Sequence, residues 1–269
     1  MNIKWNILKV IGIGAIVIGL SGCGTAAKNF KVNTNYKDTL SKDNTLAVIT
    51  DVCIKMDESG EDTDHFAAHS SKKIVGLIDE MLNDKLDKST YTIGYSKDKS
   101  MCAFYKSPSI GVNMVINEGD DIIKGNLPYF FNDVQDKIYR KAVQKVLNKT
   151  SKSANKNHFS DIFFTDKDML DKIKLIKNTT GQSNLLIIAI RGGEVSSGKK
   201  LGQSFKSAFI GGKVHVDFLK TYAILIDMEQ NKAVWTVSNV YKHADLYDED
   251  FYKDTYYPLV LKSMNAKEK

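Results

Sequence analysis

Short apolar runs that alternate with stretches of helical periodicity constrain the fold of this chain more than any other feature. Residues 46–56 and 185–190 are apolar runs short enough to be buried strands. Residues 222–227 and 233–240 are strand-like and flank the polar turn MEQNK, which predicts a hairpin. The full order, β-α-β-β-β-α-α-β-β-β-β-α, predicts an α/β (α+β) fold in which helices flank a mixed sheet, with the antiparallel hairpin in the C-terminal third.

Local spacing predicts the first helix and the strands that follow it. Apolar residues at helical spacing, with a capping residue in front, place the start of this helix at Thr63 or Asp64. Strand-like runs follow at residues 91–95 and 101–105, separated by the turn-forming segment SKDKS. Alternating apolar residues over 110–116 predict a further strand with one covered face.

Two more helices are expected in the middle of the chain. One begins near Asn132 or Asp133 and turns four apolar side chains inward, namely Val134, Ile138, Ala142 and Val146. Thr165 with Asp168 three residues later resembles a capping box and opens another helix. That helix is expected to stop before Gly181.

The amino terminus has the pattern of a cleaved secretory signal. Lys4 and Lys9 supply positive charge, and residues 10–22 carry no charge. As a helix this run would rise about 20 Å, which is short of the roughly 30 Å hydrocarbon core of a bilayer. We therefore predict a signal peptide over residues 1–22 rather than a membrane-spanning helix.

Leu20, Ser21, Gly22 and Cys23 resemble the lipobox of bacterial lipoproteins. The resemblance implies that the Cys23 thiol is linked to diacylglycerol, that the peptide is cut before it, and that the new amine is acylated. Small side chains at Ser21 and Gly22 admit the peptidase, and a thiol is needed for the thioether. The alternative is an uncleaved amino-terminal anchor with an incidental cysteine. Gly24, in a place where Asp would favour the inner membrane, indicates the outer membrane facing the periplasm.

The remaining chain is predicted to be one domain behind a tether. Residues 24–43 are polar with few apolar side chains, so residues 23–43 are expected to be the lipidated cysteine and a flexible tether. Residues 44–269 form a single α/β domain whose best internal break is the polar stretch 148–157. The net charge of +6 is too mild and too dispersed to indicate a nucleic-acid partner.

The chain has three cysteines, too few for a scaffold stapled by disulfides. Acylation of Cys23 would leave Cys53 and Cys102, both in strand-like segments. A disulfide between neighbouring strands and two buried free thiols are equally compatible with the sequence.

The element order, together with the lipobox, resembles a group of envelope lipoproteins. The first strand and helix are similar to the amino-terminal α/β domain of TolB-type proteins. Residues 166–235 resemble the curli-secretion-channel lipoprotein family, with a helix, an apolar strand, a Gly- and Ser-rich excursion over residues 191–212 and a hairpin that ends near Trp235. The resemblance implies an α/β body that assembles with other envelope proteins, and it brings no catalytic residues.

The segment from Gly193 to Lys199 has the GxxxxGK spacing of a P-loop. Lys200 stands where a Ser or Thr hydroxyl would bind Mg²⁺, and the sequence that follows has a poor helical face, so no nucleotide site is predicted. The main interpretation of this segment is an exposed flexible loop. The alternative for residues 200–213 is an assembly or membrane-contacting hairpin of a pore-forming oligomer. Its apolar contacts would be Leu201, Phe205, Phe209 and Ile210.

His65 and His69 are four residues apart, which on a helix places both imidazoles on one face. The segment lacks the glutamate of HExxH, and the dipole at a helix amino terminus disfavours a cation. Solvated or capping histidines are the main interpretation. An exported metal-dependent hydrolase that uses this pair is the alternative function.

Other catalytic patterns are missing from the sequence. No serine lies in a G-x-S-x-G elbow. Aromatic residues near the carboxyl terminus, among them Phe251 and Tyr252, either dock a helix on the sheet or form a patch for a partner.

The sequence therefore predicts a non-catalytic, lipid-anchored envelope protein without a cofactor or metal, a structural or accessory subunit of a membrane-associated assembly. Its expected partners are the lipid bilayer, through acylated Cys23, and an envelope protein or further copies of itself. Neither nucleic acid nor nucleotide is expected to bind.

Overall fold

The fold is known from a computed structural model. It describes residues 27–32, 44–57, 65–103, 114–115, 129–131, 137–155, 166–195, 217–242, 248–257 and 261. These residues form a mixed sheet with helices on both faces, so the predicted α/β class is confirmed.

Nine strands and three α-helices are found in the described residues, followed by one π-helical segment at Phe251–Tyr256. The strands are β1 (Ala27–Val32), β2 (Thr45–Asp57), β3 (His65–Ala67), β4 (Thr92–Met101), β5 (Met114–Val115), β6 (Tyr129–Phe130), β7 (Asn184–Val195), β8 (Phe218–Asp227) and β9 (Lys232–Lys242). The helices are α1 (Ala68–Lys85), α2 (Lys137–Asn155) and α3 (Lys167–Thr180).

The sheet is parallel at its centre and antiparallel on one side. Strand β2 runs parallel to both β4 and β7, and β7, β8, β9 and β1 continue from it as antiparallel neighbours. The other side of β2 is shared: its first half pairs with β4, and Lys55 and Met56 pair with the short strand β3. Strands β5 and β6 extend β3 and β4.

The two central strands, β2 and β7, are mainly apolar on both sides because helices cover both faces of the sheet. In β7, Leu186 and Ile188 belong to the core under α1 and the carboxyl-terminal segment, whereas Leu185 and Ile187 belong to the core under α2 and α3. Side chains of a strand alternate between faces, so a continuous apolar run supplies both cores at once. The result is three layers, with the sheet in the middle.

The hairpin of β8 and β9 is confirmed, and the chemistry of its turn is visible. The Asp227 carboxylate accepts hydrogen bonds from the backbone N–H groups of Glu229 and Gln230, both at 2.9 Å. Asn231 adopts a positive φ of 51°, a conformation that asparagine tolerates better than most residues.

The capping of α3 differs from the prediction in one residue. The N-cap is Asp166, whose carboxylate accepts from the Met169 N–H at 2.8 Å, while Thr165 lies outside the described residues. The expected end is correct, since Gly181 follows the helix with φ of 69° and donates to the Lys177 carbonyl at 2.8 Å. A left-handed residue at this position is the common way to close a helix.

Three predicted boundaries are wrong. Helix α1 begins at Ala68, because the residues just before it form β3 beside the end of β2. Strand β4 runs without interruption through SKDKS, where two strands and a turn were expected, and shifts of register against β2 accommodate it. Helix α2 continues to Asn155, so residues 148–155 of the polar stretch expected to interrupt the elements are helical.

The inward face of α2 is also different from the predicted one. Ile138 is 68% exposed, whereas its neighbour Tyr139 is 1% exposed. Over residues 137–149, the part of this helix whose burial is described, the buried residues are Tyr139, Ala142, Val143, Val146 and Leu147. Ala142 and Val146 therefore face inward as predicted, but the helix is rotated so that the tyrosine, not the isoleucine, completes the buried stripe.

Residues 27–32 are part of the sheet. They pair antiparallel with β9, from Ala27 opposite Val240 to Val32 opposite Trp235. The expectation of a flexible tether over residues 23–43 is thus corrected for these six residues.

None of the described helices is long and apolar enough to cross a membrane.

Replacing Ile187 with alanine should lower the free energy of unfolding by about 2–5 kcal/mol, because the missing side chain leaves a cavity in the core under α2 and α3. Urea unfolding followed by circular dichroism measures the change.

The matched control is Ile138→Ala, at the 68% exposed position, which should change the free energy of unfolding by less than about 0.5 kcal/mol. A comparable loss in both variants would contradict the rotation of α2 described above.

Candidate functional site

The carboxyl ends of the parallel strands β4, β2 and β7 form the candidate site. Helix α1 connects β2 to β4 across one face of the sheet, and α2 and α3 lie between β4 and β7 on the other face. The helix after β2 and the helices before β7 therefore lie on opposite faces of the sheet, which creates a topological switch point between β2 and β7. In open α/β sheets, ligands bind in the crevice at such a point.

Two glycines of β7 lie at this end, and their neighbours leave no space for a side chain. A Cβ on Gly193 would collide with the ring of Phe218, and a Cβ on Gly192 would collide with Ile54. Gly193 is paired with Phe218 within the sheet, so an aromatic ring covers a glycine on the neighbouring strand. Because Gly193 is in a strand, the GxxxxGK segment does not start as a phosphate-binding loop would.

The amino terminus of α1 is attached to the same end of β2. The Ser71 hydroxyl is buried and accepts a hydrogen bond from the Ile54 N–H at 3.3 Å. This contact links the first turn of the helix to β2.

A disulfide joins β2 to the residue that follows β4. Cys53 and Cys102 are bonded, with their Cα atoms 4.5 Å apart and a sequence separation of 49 residues. The free-thiol alternative that the sequence left open is not what the structure contains. In the chain-entropy treatment, closing a loop of this length stabilises the fold by about 4 kcal/mol.

Asp51 holds the same chain reversal from inside the core. Its fully buried carboxylate accepts from the Ser100 hydroxyl at 2.6 Å and from the Ala103 N–H at 2.8 Å. Between them lies Cys102, with a positive φ of 60°, which is uncommon for a residue other than glycine. Leaving these buried donors without an acceptor would cost about 1–3 kcal/mol each, so the carboxylate stabilises an otherwise unfavourable turn.

A second buried carboxylate lies nearby. Asp98 is two residues before Ser100 on β4, is 3% exposed, and accepts hydrogen bonds from two phenols. The Tyr95 hydroxyl donates at 3.3 Å, and the Tyr139 hydroxyl donates from α2. The tyrosine–aspartate cluster (Tyr95, Asp98 and Tyr139) thus connects α2 to the edge of the parallel sheet.

The electrostatics of this cluster follow from its burial. Burial raises the pKa of the Asp98 carboxyl above its ordinary value, and the hydrogen bonds from the two tyrosines offset part of that rise. Burial and the Asp98 charge raise the pKa of the Tyr139 phenol, so Tyr139 remains protonated and continues to donate.

Both buried carboxylates make their hydrogen bonds within the protein. Asp51 and Asp98 accept from donors of the protein itself, and each joins elements that are distant in sequence. Among the described residues, no group of three His, Cys, Asp or Glu side chains could hold a metal ion. The arrangement positions the chain at the carboxyl ends of β2 and β4.

The histidine pair is not arranged as predicted. His65 lies in β3, opposite Met56, and His69 is exposed in the first turn of α1. The expectation that both share one helix face was wrong, because the helix begins three residues after His65. The four-residue spacing along one helix, on which the alternative metal site was based, is therefore not what these two residues have.

The other predicted site residues lie outside the described residues. They are Leu20, Ser21, Gly22 and Cys23 of the lipobox, and Leu201, Phe205, Phe209 and Ile210 of the expected assembly hairpin.

The carboxyl-terminal aromatics dock on the sheet in their described part. Tyr252 and Tyr257 are buried, and the Tyr257 hydroxyl donates to the Leu77 carbonyl of α1. The ring of Phe251 contacts the rings of Tyr241 and Tyr252 at centroid distances of 5.6 and 5.3 Å. Of the two interpretations that the sequence allowed, the docking role describes these residues.

Sequence reasoning missed Asp51, Asp98 and Tyr139. A signal for Asp51 exists, since a carboxylate interrupts the apolar run of β2 and needs partners when buried. Asp98 gave no such signal, because it stands in the charged segment SKDKS that is typical of a solvated turn.

Comparison with known proteins does not assign this chain to a family. No protein-family model matches this chain. No curated protein matches it either. Among solved structures, it is similar to the one described as the structure of the Evf virulence factor, at 10% identity and a TM-score of 0.19, over 88% of this chain and 84% of the other. A TM-score this low carries no argument about fold or function.

Changing Asp98 to asparagine should reveal a pH-dependent cost of burying this carboxylate. The pKa of Asp98 in the folded protein lies above its value of about 3.8 in the unfolded chain, so the native state binds this proton more tightly. The parent chain must then lose stability, relative to Asp98→Asn, as the pH rises from 3.8 through the folded pKa. Urea unfolding of both proteins across that range measures the difference.

Asp168→Asn is the control of opposite sign. Lys145 lowers the pKa of the exposed Asp168 carboxyl, so the parent chain should gain stability relative to this variant as the pH rises. A stability difference for Asp98→Asn that stays constant with pH would contradict the role assigned to burial.

Proposed function

We propose that this chain is an exported, lipid-anchored protein of the bacterial cell envelope, acting without catalysis as a structural or accessory subunit of a membrane-associated assembly. The observation that carries the proposal is the disulfide between Cys53 and Cys102 in a chain that begins with a signal-like segment and a lipobox. Disulfides persist in oxidising compartments and are rare in the cytosol, so the bond supports export.

The lipobox gives the expected means of attachment. Acyl chains on Cys23 would provide more than the two signals that stable membrane anchoring requires. Cys53 and Cys102 bond to each other, which leaves Cys23 as the cysteine available for modification among the three of the chain. The outer membrane, on its periplasmic side, is the location that Gly24 favours.

The position of β1 supports a body held close to the bilayer. Strand β1 begins at Ala27, so three residues separate it from Cys23. An extended chain covers at most about 3.6 Å per residue, which limits the distance from the Cys23 Cα atom to the strand to about 14 Å. An acylated Cys23 would therefore keep the β1 edge of the sheet next to the lipid headgroups.

Two features support a role in assembly rather than in catalysis. The buried carboxylates Asp51 and Asp98 are used for internal hydrogen bonds that stiffen the domain. In the described part of the sheet, β1 is the terminal strand, and the outer backbone groups of a terminal strand can pair with another chain. A second copy or another envelope protein is the partner expected there.

Cells that express the full chain with radiolabelled palmitate should incorporate label into the protein and retain it in the membrane fraction. Cys23→Ser should abolish the label, because serine cannot form the thioether. The matched control is the double change Cys53→Ala and Cys102→Ala, which removes the other cysteines and should leave labelling intact. Labelling of Cys23→Ser at the level of the parent would overturn the anchor.

Chemical crosslinking in intact cells, followed by purification in mild detergent, should recover the protein in a larger complex. Mass spectrometry of the crosslinked species identifies the second chain. Recovery of the labelled protein as a monomer, with and without crosslinker, would contradict the assembly role while leaving the lipid anchor in place.

A further inference from the structure

Helix α2 is the basic element of the described structure. All of its charged residues are positive: Lys137, Arg140, Lys141, Lys145, Lys149 and Lys152. The neighbouring helix α3 differs, since it exposes acids (Asp168 and Asp171) as well as bases (Lys167 and Lys174). The basic character therefore belongs to α2 and not to the whole helical layer.

The exposed lysines of α2 form a row. Lys137, Lys141, Lys145 and Lys149 follow one another at intervals of four residues, and all four are exposed. These residues are called the lysine row. Like charges four residues apart destabilise a helix, so the row works against the stability of α2 when nothing covers it.

Few opposite charges neutralise the row. Within the described ranges, the acid that reaches it is Asp168 of α3, which contacts Lys145 at 2.7 Å and also Lys172 at 3.5 Å. Ile138 adds an apolar element, since it lies on the same outward side of the helix and is 68% exposed. Lysines around an exposed aliphatic side chain match the headgroup region of an anionic bilayer, where charge meets the first hydrocarbon.

We propose that the lysine row binds an anionic phospholipid surface and orients the domain on the membrane. The choice of lipid over other anions rests on the proposed anchor at Cys23, which would hold the domain beside a bilayer. Basic residues near such a surface are attracted by its negative potential.

The distances in the fold are compatible with simultaneous contact. Helix α2 packs on β8, and β8 is separated from β1 by β9 alone in the strand order. Neighbouring strands lie about 4.8 Å apart, which puts β8 about 10 Å from β1 along the sheet. The anchored edge and the helical layer carrying the row are thus adjacent, and rotation about the β1 edge brings the row to the same bilayer.

Lysine footprinting on vesicles tests this proposal with the full chain. The protein is reconstituted into phosphatidylcholine vesicles, with and without phosphatidylglycerol, and exposed lysines are acetylated and quantified by mass spectrometry. We expect Lys137, Lys141 and Lys149 to react several-fold more slowly on the phosphatidylglycerol vesicles. Added salt should restore their reactivity, since screening weakens contacts between exposed charges.

Lysines on the opposite face provide the control. Lys72, Lys85 and Lys88 lie on or next to α1, across the sheet from α2, and should react equally on both kinds of vesicle. The combined change of Lys137, Lys141 and Lys149 to glutamine should abolish the lipid-dependent shielding of Lys145. The same change at Lys72, Lys85 and Lys88 removes equal charge and should preserve that shielding.

Equal reactivity of the row on both vesicles would overturn the proposal. So would shielding by a DNA fragment but not by phosphatidylglycerol, which would assign the row to a nucleic acid. A failure of the anchor is distinguishable, because it reduces retention on vesicles of both compositions. If this proposal alone fails, retention on the vesicles is unchanged and the lysine row reacts equally on vesicles with and without phosphatidylglycerol.

Discussion

The parallel pairing of β2 with β7 is the constraint on which the rest of the structure depends. Twelve consecutive residue pairs, from Leu46 with Asn184 to Asp57 with Val195, join these strands at the centre of the sheet. Both faces of the pair are apolar, so both must be covered. Parallel strands are joined by crossover connections, which usually contain helices, and these helices cover the faces. The three-layer arrangement follows from this pair.

The polar residues of the core are explained by the geometry that the pair imposes. Where β4 ends beside β2, the chain must turn away from the sheet, and Cys102 does so with a left-handed conformation. The buried carboxylate of Asp51 and the disulfide to Cys53 both stabilise that turn. An acid in the middle of an apolar strand is costly to bury unless it is hydrogen-bonded. Here its hydrogen bonds hold a turn, which apolar side chains could not do.

Local patterns predicted the central strands, the terminal hairpin and the end of α3 because each has a strong signal of its own. Apolar runs bounded by turns specify buried strands, and Gly181 specifies the end of a helix. The prediction failed for β4 because SKDKS is polar in sequence while two of its residues, Asp98 and Ser100, are buried against partners far along the chain. His65 was assigned to a helix for a similar reason: it pairs with Met56 of β2, which precedes it by nine residues, and local spacing does not show that contact.

The sequence by itself determined the kinds of element, the apolar character of both sheet faces and the signal-like amino terminus with its lipobox, because these depend on neighbours within a few positions. The tertiary structure alone decided which side of α2 faces the core. A helical period shows that one stripe is buried, but the contact of Tyr139 with Asp98, 41 residues apart in sequence, selects the stripe. That rotation leaves Ile138 and the lysine row outside. The disulfide is decided in the same long-range way, since Cys53 of β2 meets Cys102, the residue after β4, because β2 and β4 are neighbouring strands. Long-range pairing creates these features, and no local pattern encodes them.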